Sequence, residues 1–296
     1  MSGAKERRRR VEEMRQEQSR RRADAVRRRR MTMVGAPIAA VVLVLGVMVV
    51  IKLSGTGAPA EVPKAAAGST VAKLTGVPAQ TLIKAGPPPD GTRLLPVSGE
   101  PPLEQDGKPR ILYLGAEYCP YCAAQRWPLI VALSRFGTFT GLQESRSSAT
   151  DVFPNTATFT FRSASYASPY LAFTAVETQD AEGRPLQRLN DADAALVGKL
   201  NAPPYTPEES RGSIPFIDFG NRYLTTGASL SPQLFDGLDH AQIADRLADP
   251  ADAIGKPVSG IANLMTAGIC ALTANQPADV CGDPVVKSLG EGLNGN

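Results

Sequence analysis

Directly after the four arginines Arg27–Arg30 the chain reads "MTMVGAPIAAVVLVLGVMVVI", 21 residues from Met31 to Ile51 without a charged side chain. As an α-helix rising about 1.5 Å per residue, this run covers roughly 30 Å, the thickness of a bilayer's hydrocarbon core. It predicts one N-terminal transmembrane helix, residues 31–53, held in the lipid bilayer. Residues 1–30 carry 13 Lys and Arg against 5 Asp and Glu, a net of +8, so the rest of this +3 chain is at −5. By the positive-inside rule the basic arm, 1–30, is cytoplasmic and the main body extracytoplasmic, in a single-pass protein of the cell membrane. A cleaved signal peptide is the alternative, with "APA" at Ala58–Ala60 as its site; the long basic region and long apolar run favour a retained anchor. Orienting the helix and touching anionic lipid account for the arginines. No motif or aromatic context points to nucleic acid as a partner.

Past the anchor, "SGTGAPAEVPK" is small, polar and proline-bearing, and residues 54–65 read as a flexible linker. The folded domain is expected over 66–288 and a tail over 289–296. With 43% hydrophobic residues the chain can bury a real core. "STVAKLTGVPAQTLIKAG" suits a short helix, and "GPPPDG" breaks the chain after it. "RILYLGAEY" reads as a strand, and "CPYCAAQRWPLIVALSRFG" as a helix ending at Gly137. "ATFTF" and "YLAFTAV" have strand composition, and "DADAALVGKL" has an Asp cap and helix formers. "SIPFIDFG" and "RYLTTGA" flank "GN", a hairpin signal. "SPQLFDGLDHAQIADRLAD" and "GIANLMTAGICALTAN" read as closing helices. The whole predicts an α/β domain, helices packed on a sheet.

At the strand-to-helix junction stand Cys119 and Cys122. A thiol at a helix start lies among unpaired backbone N–H groups and near the positive end of the helix dipole. Both effects favour thiolate, the species that attacks disulfides. Cys119 is thus the candidate nucleophile and Cys122, one turn inside, the candidate resolving thiol. Pro120 falls at the first helical position, where its missing N–H is tolerated, and Tyr121 lies beside the reactive sulfur. Trp127 reads as core. A zinc site would need Cys270, Cys281 or the single histidine, His240, and these form no second closely spaced clip. No metal is expected. A Cys119–Cys122 bridge closes too small a ring to act chiefly as a staple.

"AEYCPYC" resembles the thioredoxin active site, often Ala-Glu-Trp-Cys-Gly-Pro-Cys, and its Pro-Tyr is the glutaredoxin pair. "SIPF" is similar to the segment in which a cis proline faces the cysteines, and Pro215 is the matching residue. Together with "GAEYCPYCAAQRWPLIVALSRFGTF", "SIPFIDFGNRY" and "ICALTANQPADVC", the chain resembles the thioredoxin-like family catalogued as domain of unknown function 929, over roughly residues 66–288. The resemblance implies a thioredoxin-like fold, a central mixed sheet flanked by helices, with an insertion between Phe139 and "SIPF" that caps the substrate side. It assigns no reaction. Where thioredoxin has a buried Asp six residues before its first Cys, this chain has Tyr113. Glu117 is an auxiliary candidate for proton transfer, although an isolated acidic side chain in a turn is normally solvated.

Cys270 and Cys281 are separated by "ALTANQPADV". In an oxidising compartment the expected arrangement is a structural disulfide, the sharper alternative being a second redox pair. The resulting expectation is a membrane-anchored thiol-disulfide oxidoreductase acting on cysteine-containing envelope proteins, with a membrane electron donor or acceptor as further partner. Oxidase, isomerase and reductase share such a site and differ in potential and partner. The alternatives are a non-catalytic thioredoxin-like scaffold of the envelope and a copper carrier. The chain has no nucleotide-binding glycine signature, so no organic cofactor is expected.

Overall fold

The computed structural model describes residues 64–65 and 68–294. The basic arm and the expected span 31–53 lie outside the described residues. No helix among the described residues is long and apolar enough to cross a membrane.

In chain order the first half contains β1 (Lys64–Ala65), α1 (Gly68–Thr75), α2 (Ala79–Ala85), β2 (Leu95–Pro96), β3 (Glu104–Gln105), β4 (Lys108–Gly115) and α3 (Pro120–Ser134). An insertion follows, with β5 (Thr138–Thr140), β6 (Gln143–Arg146), β7 (Ala157–Thr160) and β8 (Ser165–Ala167). Then come β9 (Ala172–Glu177), α4 (Asp191–Leu200), β10 (Phe216–Phe219), β11 (Tyr223–Thr226), α5 (His240–Arg246), α6 (Gly255–Leu272), α7 (Ala278–Cys281) and α8 (Pro284–Asn294).

The central sheet is mixed and is organised around β4. On one edge β9 runs parallel to it, from Arg110 opposite Ala172 to Gly115 opposite Glu177. On the other, β10 runs antiparallel, from Phe216 opposite Leu114 to Phe219 opposite Ile111, and β11 and β2 extend the order outward. Successive side chains of a strand point to opposite faces. Ile111 and Tyr113 accordingly enter the large core with α3 and α6, and Leu112 and Leu114 enter a smaller one with Val197 and Leu200 of α4. Burial on both faces is why β4 reads as an unbroken apolar run rather than an alternation. The expected "GN" turn joins β10 to β11 through the three residues Gly220, Asn221 and Arg222; Gly220 at φ 65° and Asn221 at φ 56° take the left-handed conformation, and the Arg222 amide closes the turn on the Phe219 carbonyl at 3.1 Å.

Helix α3 has a Pro at its start and a cysteine as N-cap, and nearly all of its residues are buried. A helix apolar on every side belongs inside a protein. It ends at Ser134, one turn short of Gly137, and contains Pro128, whose ring nitrogen leaves one helical hydrogen bond unmade. Helix α6 packs across it, and Asn263 Nδ2 of α6 donates to the carbonyls of Leu82 and Gly86, closing the end of α2.

Several elements depart from the sequence expectation. The single helix expected over Ser69–Gly86 is two, because Pro78 starts a second one after the break at Gly76. The helix expected from Ser231 becomes a 3₁₀ turn, Pro232–Phe235, and the short α5, which begins at an Asp239–Gln242 capping box. Residues 289–294, expected as tail, continue α8, with Leu289 and Leu293 against the core.

Candidate functional site

The two cysteines stand at the C-terminal end of the central strand, where open α/β sheets place their ligands. Cys119 is the N-cap of α3, with extended backbone, and its Sγ accepts from the Cys122 amide at 3.2 Å. Both are free thiols. Cys119 keeps 5% of its surface exposed and Cys122 keeps none. They pack with Ala116, Tyr118 and Ile214. Ile214 precedes Pro215, which is buried, joined to it by a cis bond, and stands immediately before β10. The Pro215 carbonyl accepts from Gly227 at 2.9 Å, tying that loop to the end of β11.

This geometry separates the two thiols. The hydrogen bond from the Cys122 thiol, the helix-start amides of Cys122 and Tyr121 and the charge of Arg126 lower Cys119 below the usual thiol value, against its burial. Burial pushes Cys122 well above that value, and its hydrogen bond to Cys119 adds to this. A thiol with a small accessible surface and a bias to thiolate, beside a wholly buried partner biased to thiol, is the pair that exchange with an incoming disulfide requires.

Glu117 is the clearest correction. Expected to be a solvated turn carboxylate, it is buried, accepts from Thr160 Oγ1 of β7 at 2.6 Å, and has Arg162 Nε at 3.9 Å. Burial raises its pKa, while Thr160 and Arg162 pull it back. Its environment comes from the insertion, which the Thr160 contact brings against the cysteine turn. The insertion is a β layer along α3: Thr158 Oγ1 donates to the Ala123 carbonyl at 2.8 Å, and Trp127 Nε1 to that of Ala157 at 3.0 Å. Its β6–β7 loop reaches the site, with the Ser148 amide bonded to the Tyr118 carbonyl at 2.9 Å and Phe153 edge-on to Tyr121. Trp127 is in the core, as expected.

One group escaped the sequence reading. Arg126 of α3 is fully buried and forked onto Glu177 of β9, Nε to Oε1 at 3.0 Å and Nη2 to Oε2 at 2.6 Å. Its Nη2 also donates to the Ala116 carbonyl at 2.9 Å, and its guanidinium lies 5.8 Å from the centre of the Tyr113 ring. A sequence signal did exist: Arg126 falls four residues after Cys122, on the same face of the helix.

Cys270 and Cys281 form a disulfide with Cα atoms 5.7 Å apart, linking α6 to α7. His240 hydrogen-bonds through Nε2 to the Ser145 and Thr158 carbonyls at 2.9 and 2.7 Å, which joins α5 to the insertion. No group of three or more His, Cys, Asp or Glu side chains among the described residues could hold a metal ion. A cleft of about 460 Å³ opens between Asp90, Arg93, Glu209 and Ser229, and neither cysteine lines it.

Fold and site define an α/β domain with a Cys-x-x-Cys pair at the end of its central strand. A family model described as Domain of unknown function (DUF929) matches residues 96–271, more than half of the chain, and the chain belongs to that family. The match runs from β2 to near the end of α6 and includes Glu117, Cys119, Cys122, Arg126, Glu177 and Pro215. No curated protein and no solved structure matches the chain.

Proposed function

We propose that this protein is a thioredoxin-like thiol-disulfide oxidoreductase, anchored in the cell membrane by residues 31–53, with its catalytic domain outside the cytoplasm. The observation that carries the reading is the asymmetry of Cys119 and Cys122: one capped, partly accessible and biased to thiolate, the other wholly buried and biased to thiol. The order β9–β4–β10–β11, the cysteine helix after the central strand and the Pro215 loop beside it support the thioredoxin-like assignment. Tyr121, 42% exposed and two residues after Cys119, packs edge-on against Phe153 of the β6–β7 loop, an accessible aromatic edge that favours a polypeptide substrate.

In the reductive direction the Cys119 thiolate attacks one sulfur of a substrate disulfide and expels the other as thiolate. Cys122 then loses its proton, which ends on the released thiolate, and attacks Cys119 Sγ. The second substrate sulfur leaves, and the protein holds the disulfide. Two electrons have passed to the substrate. The reverse sequence oxidises a substrate dithiol. The partners are cysteine-bearing envelope proteins and a membrane electron donor or acceptor.

The test is expression of the full chain with Cys122→Ala in cells. Mixed disulfides through Cys119 to defined envelope proteins are the expected result. Their absence, together with no turnover of a model disulfide by the wild-type protein, overturns the reading in favour of a non-catalytic module.

A further inference from the structure

Beneath the cysteines lies a buried charge that the exchange chemistry above does not use. Long helical side chains lie back over the preceding turn, toward the N-terminus. Arg126 follows this rule: its Nη2 reaches the Ala116 carbonyl, so the guanidinium underlies the turn that carries Cys119 and Cys122. Glu177 occupies the Nε and Nη2 hydrogens of the fork. Ala116 packs with both cysteines, so its contact with Arg126 brings the guanidinium beside their cluster. Arg126 Nη1 and the Tyr113 hydroxyl are both buried without a hydrogen-bond partner, and the guanidinium lies over the Tyr113 ring. Unmatched donors inside a protein are costly, and each one in a native fold asks for an explanation.

We propose that Arg126, held in place by Glu177, is the positioning residue that stabilises thiolate at the Cys119–Cys122 pair and thereby moves the pair toward oxidising its substrates. The inference rests on the oxidoreductase reading. When a substrate thiolate attacks the Cys119–Cys122 disulfide, one sulfur of the pair must leave carrying charge into an interior without water. A fixed guanidinium with a free N–H is suited to receive that charge, and Tyr113 offers a second donor. The second substrate thiolate then displaces Cys119, two electrons have entered the pair, and a proton returns to Cys122. Reoxidation takes a disulfide oxidant, for which oxidised glutathione stands in the experiment. Stabilising the reduced form of such a pair makes its disulfide the stronger oxidant. Arg126 also favours the ionised form of both thiols.

The ionisable groups that act on the two thiols are Tyr113 from β4, Tyr118 from the cysteine turn and Arg126 from α3; behind them Glu177 from β9 and Glu117, with Arg162 beside it, act on Arg126, and Asp151 from the β6–β7 loop acts on Tyr118. Three variants of the full chain separate charge from structure. Arg126→Gln combined with Glu177→Gln neutralises the ion pair, Glu177→Gln alone removes only the counter-charge, and Arg126→Lys keeps the cation. Each is measured for redox equilibrium with glutathione and for the pH midpoint of Cys119 alkylation, after a circular dichroism check of folding. For the double variant the expected result is a disulfide at least tenfold more stable than wild type, about 30 mV lower in potential, with a higher alkylation midpoint. Glu177→Gln shifts both readouts in the opposite sense, and Arg126→Lys restores most of the wild-type values. A merely structural role does not invert sign between these variants. If the double variant does not fold, the inverted shift in Glu177→Gln carries the test. Equilibria within twofold of wild type and unmoved midpoints in the folded variants overturn the role of Arg126 and leave the oxidoreductase reading intact. Failure of wild type to exchange with glutathione removes both.

Discussion

Arg126 and Glu177, 51 residues apart in sequence, meet in a two-pronged ion pair from which solvent is wholly excluded. Burial alone would lower the Arg126 pKa, but the acidic groups around it, Glu177 foremost, together more than offset this and the guanidinium stays charged. The pair joins β9 to α3, the helix of the crossover that leads from β4 to β9. Removing one partner of a buried pair leaves the other charge uncompensated. Glu177→Ala is therefore expected to destabilise the domain by about 3–5 kcal/mol, read as a fall in the denaturant midpoint. A loss below about 1 kcal/mol, the scale of a solvated surface pair, would contradict the burial described here.

The Cys119 and Cys122 thiols differ in access and in proton affinity, so reduced protein at pH 7 is expected to take iodoacetamide at Cys119 at least tenfold faster than at Cys122. Mass mapping of partly labelled protein gives the ratio. The rate at Cys119 falls with decreasing pH around a midpoint below the value of about 8.5 for free cysteine. Equal labelling of the two would remove the distinction between attacking and resolving thiol.

Asp218 lies in β10 with one carboxylate oxygen accepting from the Asn221 amide at 2.8 Å and the other buried without a partner. Burial, the dominant cause, pushes its pKa up to about 7. Unfolded, an aspartate titrates near 3.9, so between about pH 4 and 7 the native state holds more protons than the unfolded chain. On account of this group, the free energy of unfolding falls as pH rises through that interval and levels off above it. Asp218→Asn should remove this dependence and stabilise the protein by about 1–3 kcal/mol at pH 8, measured by urea unfolding at several pH values. An unchanged pH profile in the variant would show that Asp218 is ionised in the folded state throughout.

The Cys270–Cys281 disulfide closes a loop with a sequence separation of 11. In the chain-entropy account such a closure stabilises by about 3 kcal/mol. Replacing both cysteines by alanine should lower stability by about that amount and leave disulfide exchange at Cys119 unchanged. A loss of exchange would point instead to a second redox pair.

The geometry of the cysteine turn was legible because it is local: a proline at the first helical position, a cap residue and a strand before them all fall within a few residues of sequence. The hairpin was equally legible, since "GN" supplies the left-handed conformations its turn needs. The insertion was not. Of its four strands only β7 has a clear strand composition; β5, β6 and β8 are short and polar, and pairing with one another or with β1 defines them. The burial of Glu117 follows from Thr160 and Arg162, more than 40 residues away, and no local pattern announces it.

By itself, then, the sequence determined an α/β domain, a closely spaced cysteine pair at a helix start and the partners for one disulfide, because propensity, capping and loop closure act over short stretches of chain. Only the tertiary structure decided what surrounds that pair. Electrostatics in a low-dielectric interior depends on distance in space, and folding alone brings Arg126, Glu177 and Tyr113 together beneath Cys119 and Cys122.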